Sequence, residues 1–317
     1  MSGLRIAFLD DVHRVYERSA GVAALRGLAG VESVTVLDRH VEDPERLAGF
    51  DVLVATRERT QFPADFLRRL DRVKLIVQTG SKAYHVDLAA ARDLGITVAR
   101  AEGASAQSTA ELTIGLLIAA TRLITRLDAD IRAGNWPKPM GRTLSGMRLG
   151  LVGFGAVARE VGRLATAFGM SVAAWSPSLL AGRRAAEGVK VLPLPELAAS
   201  SDVLSVHCAL TDETRGLVDR DLIAAMPRGS YLLNSARGPV VDEDALLAAL
   251  TSGQLAGAGL DVFDREPLPR SHPLRRANVV LTPHIGWITD RSYEAFATAA
   301  ANLIEQHLDG KKLPSFE

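Results

Sequence analysis

Short runs of aliphatic and β-branched residues recur along the chain, with amphipathic stretches between them. In the first hundred residues the runs lie at 4–9, 33–37, 51–55, 73–77 and 96–99, and helix-like segments at 21–29, 64–70 and 86–94 separate them. Strand alternating with helix implies a parallel sheet covered on both faces. A second series begins at Leu149-Gly150-Leu151-Val152 and continues at 171–175, 202–207, 230–234, 256–261 and 279–281. The chain therefore reads as two α/β units in tandem rather than as short repeats. Between them, 106–133 reads as one long helix ended by Gly134-Asn135-Trp136-Pro137, where proline forbids continuation. A last helix is predicted at 291–308.

Length supports the division, because 317 residues exceed one ordinary compact core. The composition, 47% hydrophobic and 23% charged, shows no disordered or fibrous bias. Lys plus Arg (37) equals Asp plus Glu (37), so the basic excess of a nucleic-acid or anionic-membrane partner is missing. Cys208 is the single cysteine, which excludes an intramolecular disulfide, and no His or carboxylate set has metal-ligand spacing, so no metal is expected. The start lacks a signal-peptide layout, and the longest apolar stretch, 112–120, falls well short of the roughly 20 residues that span a bilayer. The expectation is a cytoplasmic protein with no membrane or nucleic-acid partner.

The sharpest local motif is Gly150-Leu151-Val152-Gly153-Phe154-Gly155-Ala156-Val157-Ala158, after an apolar strand and opening a helix at about 157–168. Gly153 permits the tight turn, and Gly155 lets a pyrophosphate approach the backbone without a Cβ in the way. The helix start supplies N–H groups and the favourable dipole end for the anion. At the end of the next strand, an NAD enzyme usually places Asp or Glu against the ribose hydroxyls. This chain has Ser176, with Arg183 and Arg184 a few residues on. A neutral Ser176 removes repulsion against a 2′-phosphate and an arginine can pair with it, so the pattern favours NADP over NAD. The two arginines read equally well as a solvated helix face.

Three polar segments stand just beyond predicted strands of the second series. They are Asn234-Ser235-Ala236-Arg237-Gly238, Asp261-Val262-Phe263-Asp264-Arg265-Glu266-Pro267 and Thr282-Pro283-His284-Ile285-Gly286-Trp287. In open α/β sheets ligands bind outside the carboxyl ends of the strands, so all three can converge on one crevice. The fork of Arg237 suits a carboxylate and can polarise a carbonyl, and an imidazole at His284 can exchange a proton with a reacting oxygen. Glu266, paired with the far ring nitrogen, would orient that imidazole and favour its charged form.

Together with Gly80-Ser81, Ser108-Thr109-Ala110-Glu111-Leu112 and Val206-His207-Cys208-Ala209-Leu210-Thr211, these ordered motifs resemble the D-isomer-specific 2-hydroxyacid dehydrogenases. The resemblance covers nearly the whole chain. It implies two Rossmann-like α/β domains with parallel sheets, a flavodoxin-like substrate domain and a dinucleotide-binding domain separated by a cleft. The substrate domain would be discontinuous, 1–99 plus 291–317, around a cofactor domain at 100–290. Arg237, Glu266 and His284 correspond to the family's catalytic residues. Gly80 and Ser81 would offer N–H groups to the substrate carboxylate, and Ala156 and Val157 would contact the pyrophosphate. Cys208, Ser235, Ala236 and Arg237 would line the cofactor, Asp261 would hold the carboxamide, and His284 and Gly286 would complete these contacts. A homodimer is implied as well.

The chain departs from the family around Lys82, Ala83, Tyr84 and His85, and Trp287 stands where small residues are frequent. Lys82 reads as solvated surface or as a contact to an anionic tail, and Trp136 and Trp287 as pocket walls or packing residues. The main expectation is a hydroxypyruvate- or glyoxylate-type 2-oxoacid reductase. A phosphoglycerate dehydrogenase and a dinucleotide-sensing, corepressor-like binding protein are the rivals, and Glu266 argues against a formate oxidiser.

Overall fold

The computed structural model describes residues 3–80, 82–101, 105–180 and 189–316. The chain divides into two compact units, Met1–Ala104 with Ile288–Glu317, and Ser105–Trp287.

The first unit carries β1 (Leu4–Phe8), β2 (Val31–Val36), β3 (Val52–Ala55), β4 (Leu75–Thr79) and β5 (Thr97–Ala101). They form one parallel sheet in the order β2-β1-β3-β4-β5, the flavodoxin-like order. β3 and β4 are buried at every position, which is why they read as unbroken apolar runs rather than as alternating ones. The final helix, Asp290–Leu308, belongs to this unit and lies directly on helix Ala20–Arg26. A Cβ on Gly21 would stand 2.3 Å from the Ala297 carbonyl carbon, so only glycine allows the two helices to approach so closely.

The second unit carries β6 (Arg148–Val152), β7 (Ser171–Trp175), β8 (Lys190–Val191), β9 (Val203–Val206), β10 (Ser230–Asn234), β11 (Leu255–Leu260) and β12 (Val279–Leu281). Their order is β12-β11-β10-β9-β6-β7-β8, with every pairing parallel. The chain leaves β6 toward β7 on one side and returns to β9 on the other, so the switch point of this sheet lies at the carboxyl end of β6, where the glycine loop begins. The two-residue β8 has exposed positions and gave no periodic signal in the sequence.

The long helix expected at 106–133 is two helices, Ala106–Thr121 and Ile124–Arg132. Leu123 between them is left-handed, with φ of 56°. The Thr121 carbonyl accepts the N–H of Arg142 at 3.0 Å instead of continuing the helical ladder, so the returning chain ends the first helix. That helix is fixed by packing: a Cβ on Gly259 of β11 would lie 2.8 Å from the Leu116 Cβ. The second helix buries none of its residues within the chain.

Candidate active site

The glycine loop is set by backbone contact. Gly153 has φ of 94°, and its N–H closes onto the Trp175 carbonyl of β7 at 2.8 Å. A Cβ there would lie 2.7 Å from the Cys208 nitrogen and 2.8 Å from the His207 carbonyl carbon. The loop after β9 therefore rests on the turn, and only glycine fits between. Gly155 is different: a Cβ there would meet nothing within 4 Å. Helix Ala156–Ala167 starts at this residue without a side-chain cap, which leaves its first N–H groups for an anion.

Arg237, Glu266 and His284 follow the carboxyl ends of β10, β11 and β12. Asn234, buried, shapes the first loop: its Oδ1 accepts the Ala236 N–H at 3.0 Å and its Nδ2 donates to the Arg237 carbonyl at 2.9 Å. The Thr113 hydroxyl donates to the Thr109 carbonyl at 2.8 Å and lies 2.7 Å from the Ser235 hydroxyl. With the Thr113 proton already given, Ser235 is the donor of that second bond. Arg237 Nη1 donates to the Ala236 carbonyl at 2.7 Å, and its charge reaches Glu266.

The imidazole and carboxylate meet. His284 Nδ1 lies 2.7 Å from Glu266 Oε2, with both side chains about one-third exposed. The other Glu266 oxygen accepts the Phe263 N–H at 3.0 Å. Burial pushes the Glu266 carboxyl up. The bond and charge of His284, the Phe263 N–H and the Arg237 charge outweigh it, and the carboxyl is held below its ordinary value. Since Nδ1 is engaged, Nε2 is the ring nitrogen left for a further partner.

His284 itself is left-handed, with φ of 55°, an uncommon conformation for a side-chain-bearing residue. Asp261, fully buried, holds it there. Its Oδ1 accepts the Thr282 hydroxyl at 2.6 Å and the Ile285 N–H at 2.9 Å, and its Oδ2 accepts the Gly286 N–H at 2.9 Å. The residue expected to hold the carboxamide thus also clamps both flanks of His284. Neither this clamp nor the Asn234 brace was read from the sequence. A buried Asp or Asn directly after an apolar strand was the available signal.

Gly80 needs a correction. Its N–H, expected to meet a substrate carboxylate, is donated to the Ala101 carbonyl at 2.9 Å, because the β4–β5 ladder extends through it. Its φ of 134° and the Arg57 Nη1, 2.5 Å from where a Cβ would stand, account for glycine at this position. Ser81, Arg183 and Arg184 lie outside the described residues. Ser176 is buried and its hydroxyl accepts the Leu179 N–H at 3.2 Å, capping the turn after β7.

His207 rests its Nε2 2.8 Å from the Ser205 hydroxyl, and burial lowers its pKa to about 4. Burial raises the Cys208 thiol to about 11, so it is a poor nucleophile at neutral pH. Lys82 is exposed, 5.9 Å from the Tyr84 ring, and Trp287 is buried while Trp136 is exposed. Among the described residues no His, Cys, Asp or Glu group could hold a metal, and no helix is long and apolar enough to cross a membrane.

Residues 114–286 match the family model described as D-isomer specific 2-hydroxyacid dehydrogenase, NAD binding domain. The chain belongs to this D-2-hydroxyacid dehydrogenase family. It is similar to a hydroxypyruvate reductase of Thermotoga maritima, with 38% identity over 82% of this chain and 86% of that protein. It is 35% identical to a D-3-phosphoglycerate dehydrogenase of Methanocaldococcus jannaschii over 97% of this chain, and spans 58% of the length of that protein. Among solved structures, a glyoxylate reductase from Paecilomyes thermophila is 28% identical, with a TM-score of 0.79 over 99% of this chain and 98% of that one.

As a D-2-hydroxyacid dehydrogenase, the chain is an oxidoreductase acting on a CH–OH group with a nicotinamide dinucleotide. The site fits that cofactor where the geometry is most telling: open space above Gly155, uncapped N–H groups at Ala156 and Val157, and a neutral floor formed by the backbone of His207 and Cys208. Beyond the glycine loop, this D-2-hydroxyacid dehydrogenase presents the Arg237 guanidinium and the His284 imidazole hydrogen-bonded to the Glu266 carboxylate.

Proposed function

We propose that this dehydrogenase works chiefly as a reductase of small 2-oxo acids of the hydroxypyruvate or glyoxylate type. The observation that carries the reading is the 2.7 Å approach of His284 Nδ1 to Glu266 Oε2, whose loop stands beside the one that bears Arg237. The bound nicotinamide supplies hydride to C2. Arg237 holds the substrate carboxylate in its fork and draws charge toward the carbonyl oxygen. His284 Nε2 gives its proton to that oxygen, and ionised Glu266 stabilises the imidazolium before transfer and keeps the ring aimed. Ser81 remains a candidate donor to the carboxylate, and Asp261 a candidate contact to the carboxamide. The hydroxypyruvate and glyoxylate reductases among its relatives support this substrate class.

A 3-phosphoglycerate-type substrate is the second reading, favoured by the Methanocaldococcus relative matched over nearly the whole chain. Rates with hydroxypyruvate, glyoxylate and 3-phosphohydroxypyruvate, each with NADH and NADPH, separate the two. Fastest turnover of an unphosphorylated acid supports the main reading, and turnover of the phosphorylated acid alone replaces it. From Ser176 we assign NADPH as at least as good a donor as NADH, since no carboxylate at the end of β7 repels a 2′-phosphate.

We also assign a homodimer in the cytoplasm. Helix Ile124–Arg132 has no fully buried residue, and Ile131, Trp136 and Met140 stand 53%, 75% and 95% exposed. Large apolar residues left exposed along this stretch suit a contact with a second copy. Light scattering that gives twice the chain mass supports the assignment, and monomer mass at micromolar protein rejects it. The unpaired Cys208 suits a reducing compartment.

A further inference from the structure

The loops that present Arg237 and Glu266 touch each other behind the site. A Cβ on Gly238 would lie 2.0 Å from the Phe263 carbonyl carbon and 2.5 Å from the Asp264 nitrogen, so backbone runs on backbone. That contact limits approach but supplies no direction. Direction comes from Glu243, which opens helix Glu243–Ser252 one residue after its cap, Asp242. The Glu243 Oε1 lies 2.9 Å from Nε2 of His272. His272 Nδ1 accepts the Leu274 N–H at 3.3 Å, which leaves the ring proton on Nε2, the nitrogen on the Glu243 side. Both side chains are mostly shielded, each 19% exposed.

The Glu243 carboxylate thus meets the Glu266 segment at His272, six residues after Glu266, where the chain turns toward β12. The segment between forms no helix or strand; besides the Phe263 N–H bond to Glu266, its Leu268 and Pro269 carbonyls accept the Arg275 guanidinium at 2.7 and 2.9 Å. We propose that Glu243 and His272 are positioning residues for the reduction, holding the 263–272 segment so that Glu266 meets His284 while Gly238 keeps Arg237 in step with it. The proposal rests on the reductase reading given above. Neither residue touches substrate or cofactor in this role. They act through Glu266, and small displacements at a reacting centre are costly, with about 1 Å worth about 100-fold in rate.

The test is steady-state turnover of the full-length enzyme with hydroxypyruvate and reduced cofactor, together with cofactor affinity by fluorescence and the primary isotope effect from deuterated cofactor. Glu243→Ala and His272→Ala are expected to lower kcat by about tenfold and to raise the isotope effect, with the cofactor Kd unchanged. Glu243→Gln, which keeps an oxygen acceptor, is expected to recover most of the loss. The double variant should fall no further than the worse single, because one tether is broken in both. Wild-type kcat and isotope effect in the alanine variants would overturn the proposal, as would a loss confined to cofactor affinity. If Glu243→Ala does not fold, His272→Ala decides by the same criteria. A wild-type enzyme with no turnover would instead sink the reductase reading. The downfield Nδ1 proton of His284, assigned by its loss in His284→Gln, then still reports the tether: expected to shift or broaden in His272→Ala, and unchanged if the tether is absent.

Discussion

Asp261 Oδ2 accepts the Gly286 N–H at 2.9 Å while its other oxygen takes the Ile285 N–H, so one buried carboxylate grips the backbone just past His284. The left-handed φ of His284 is held from this side, and the ring is then turned by Glu266 from the other. Asp261→Ala removes three acceptor bonds at a stroke. We predict a kcat loss of about 100-fold or more, by the cost of small misplacements at a reacting centre, together with a lowered melting temperature. A variant with native kcat would show that the loop holds itself.

Arg237→Lys should behave as a radical change. The guanidinium spends one nitrogen on the Ala236 carbonyl and must still present a fork to a carboxylate, which an ammonium cannot do. The expected loss in kcat/KM is on the order of 10²-fold, comparable to removing one charge-stabilising donor. A loss under about threefold in paired kinetics would discard the fork.

Gly153→Ala tests the glycine loop. The left-handed backbone alone costs about 1–2 kcal/mol for a residue with a Cβ. The clash with the Cys208 nitrogen, 2.7 Å away, must also be relieved by moving the loop after β9. Calorimetric melting should fall and cofactor affinity should drop. Gly155→Ala, with open space at its Cβ, should keep the melting temperature and lose affinity alone. The same response from both variants would contradict the division of roles.

His207 makes stability depend on pH. Its folded pKa of about 4 is depressed from the ordinary 6.5, so between these values the unfolded chain binds a proton that the folded one refuses. The stabilising contribution is full above 6.5 and is lost as pH falls toward 4. Thermal melts across that window should show a smaller decline for His207→Gln than for wild type. Parallel declines would mean that the imidazole is not what responds to acid.

The sheets were legible because buried parallel strands are near-continuous apolar runs, and eleven of the twelve strands among the described residues overlap a run read from the sequence. β8 escaped because two exposed residues carry no period. The helix break at Leu123 escaped for another reason. The apolar spacing continues across it, and what ends the helix is the Arg142 N–H, a partner about twenty residues later that no local pattern encodes. The site divides in the same way. Arg237, Glu266 and His284 announce themselves by residue type after strands. The work of Asn234, Asp261, Glu243 and His272 is hydrogen bonding across loops, which exists only once the strands are side by side. Gly80 shows the converse, since its expected N–H is consumed by a ladder that runs three residues past the apolar run at 73–77.

The account stands on His284 as the proton donor. The measurement that reaches it most directly is the rate of reduced-cofactor oxidation by hydroxypyruvate in His284→Ala beside wild type, with the cofactor Kd measured on both. The predicted result is a turnover loss of about 10²–10⁴-fold with an unchanged Kd, the range expected for one positioned acid–base group. Wild-type turnover in His284→Ala would contradict it.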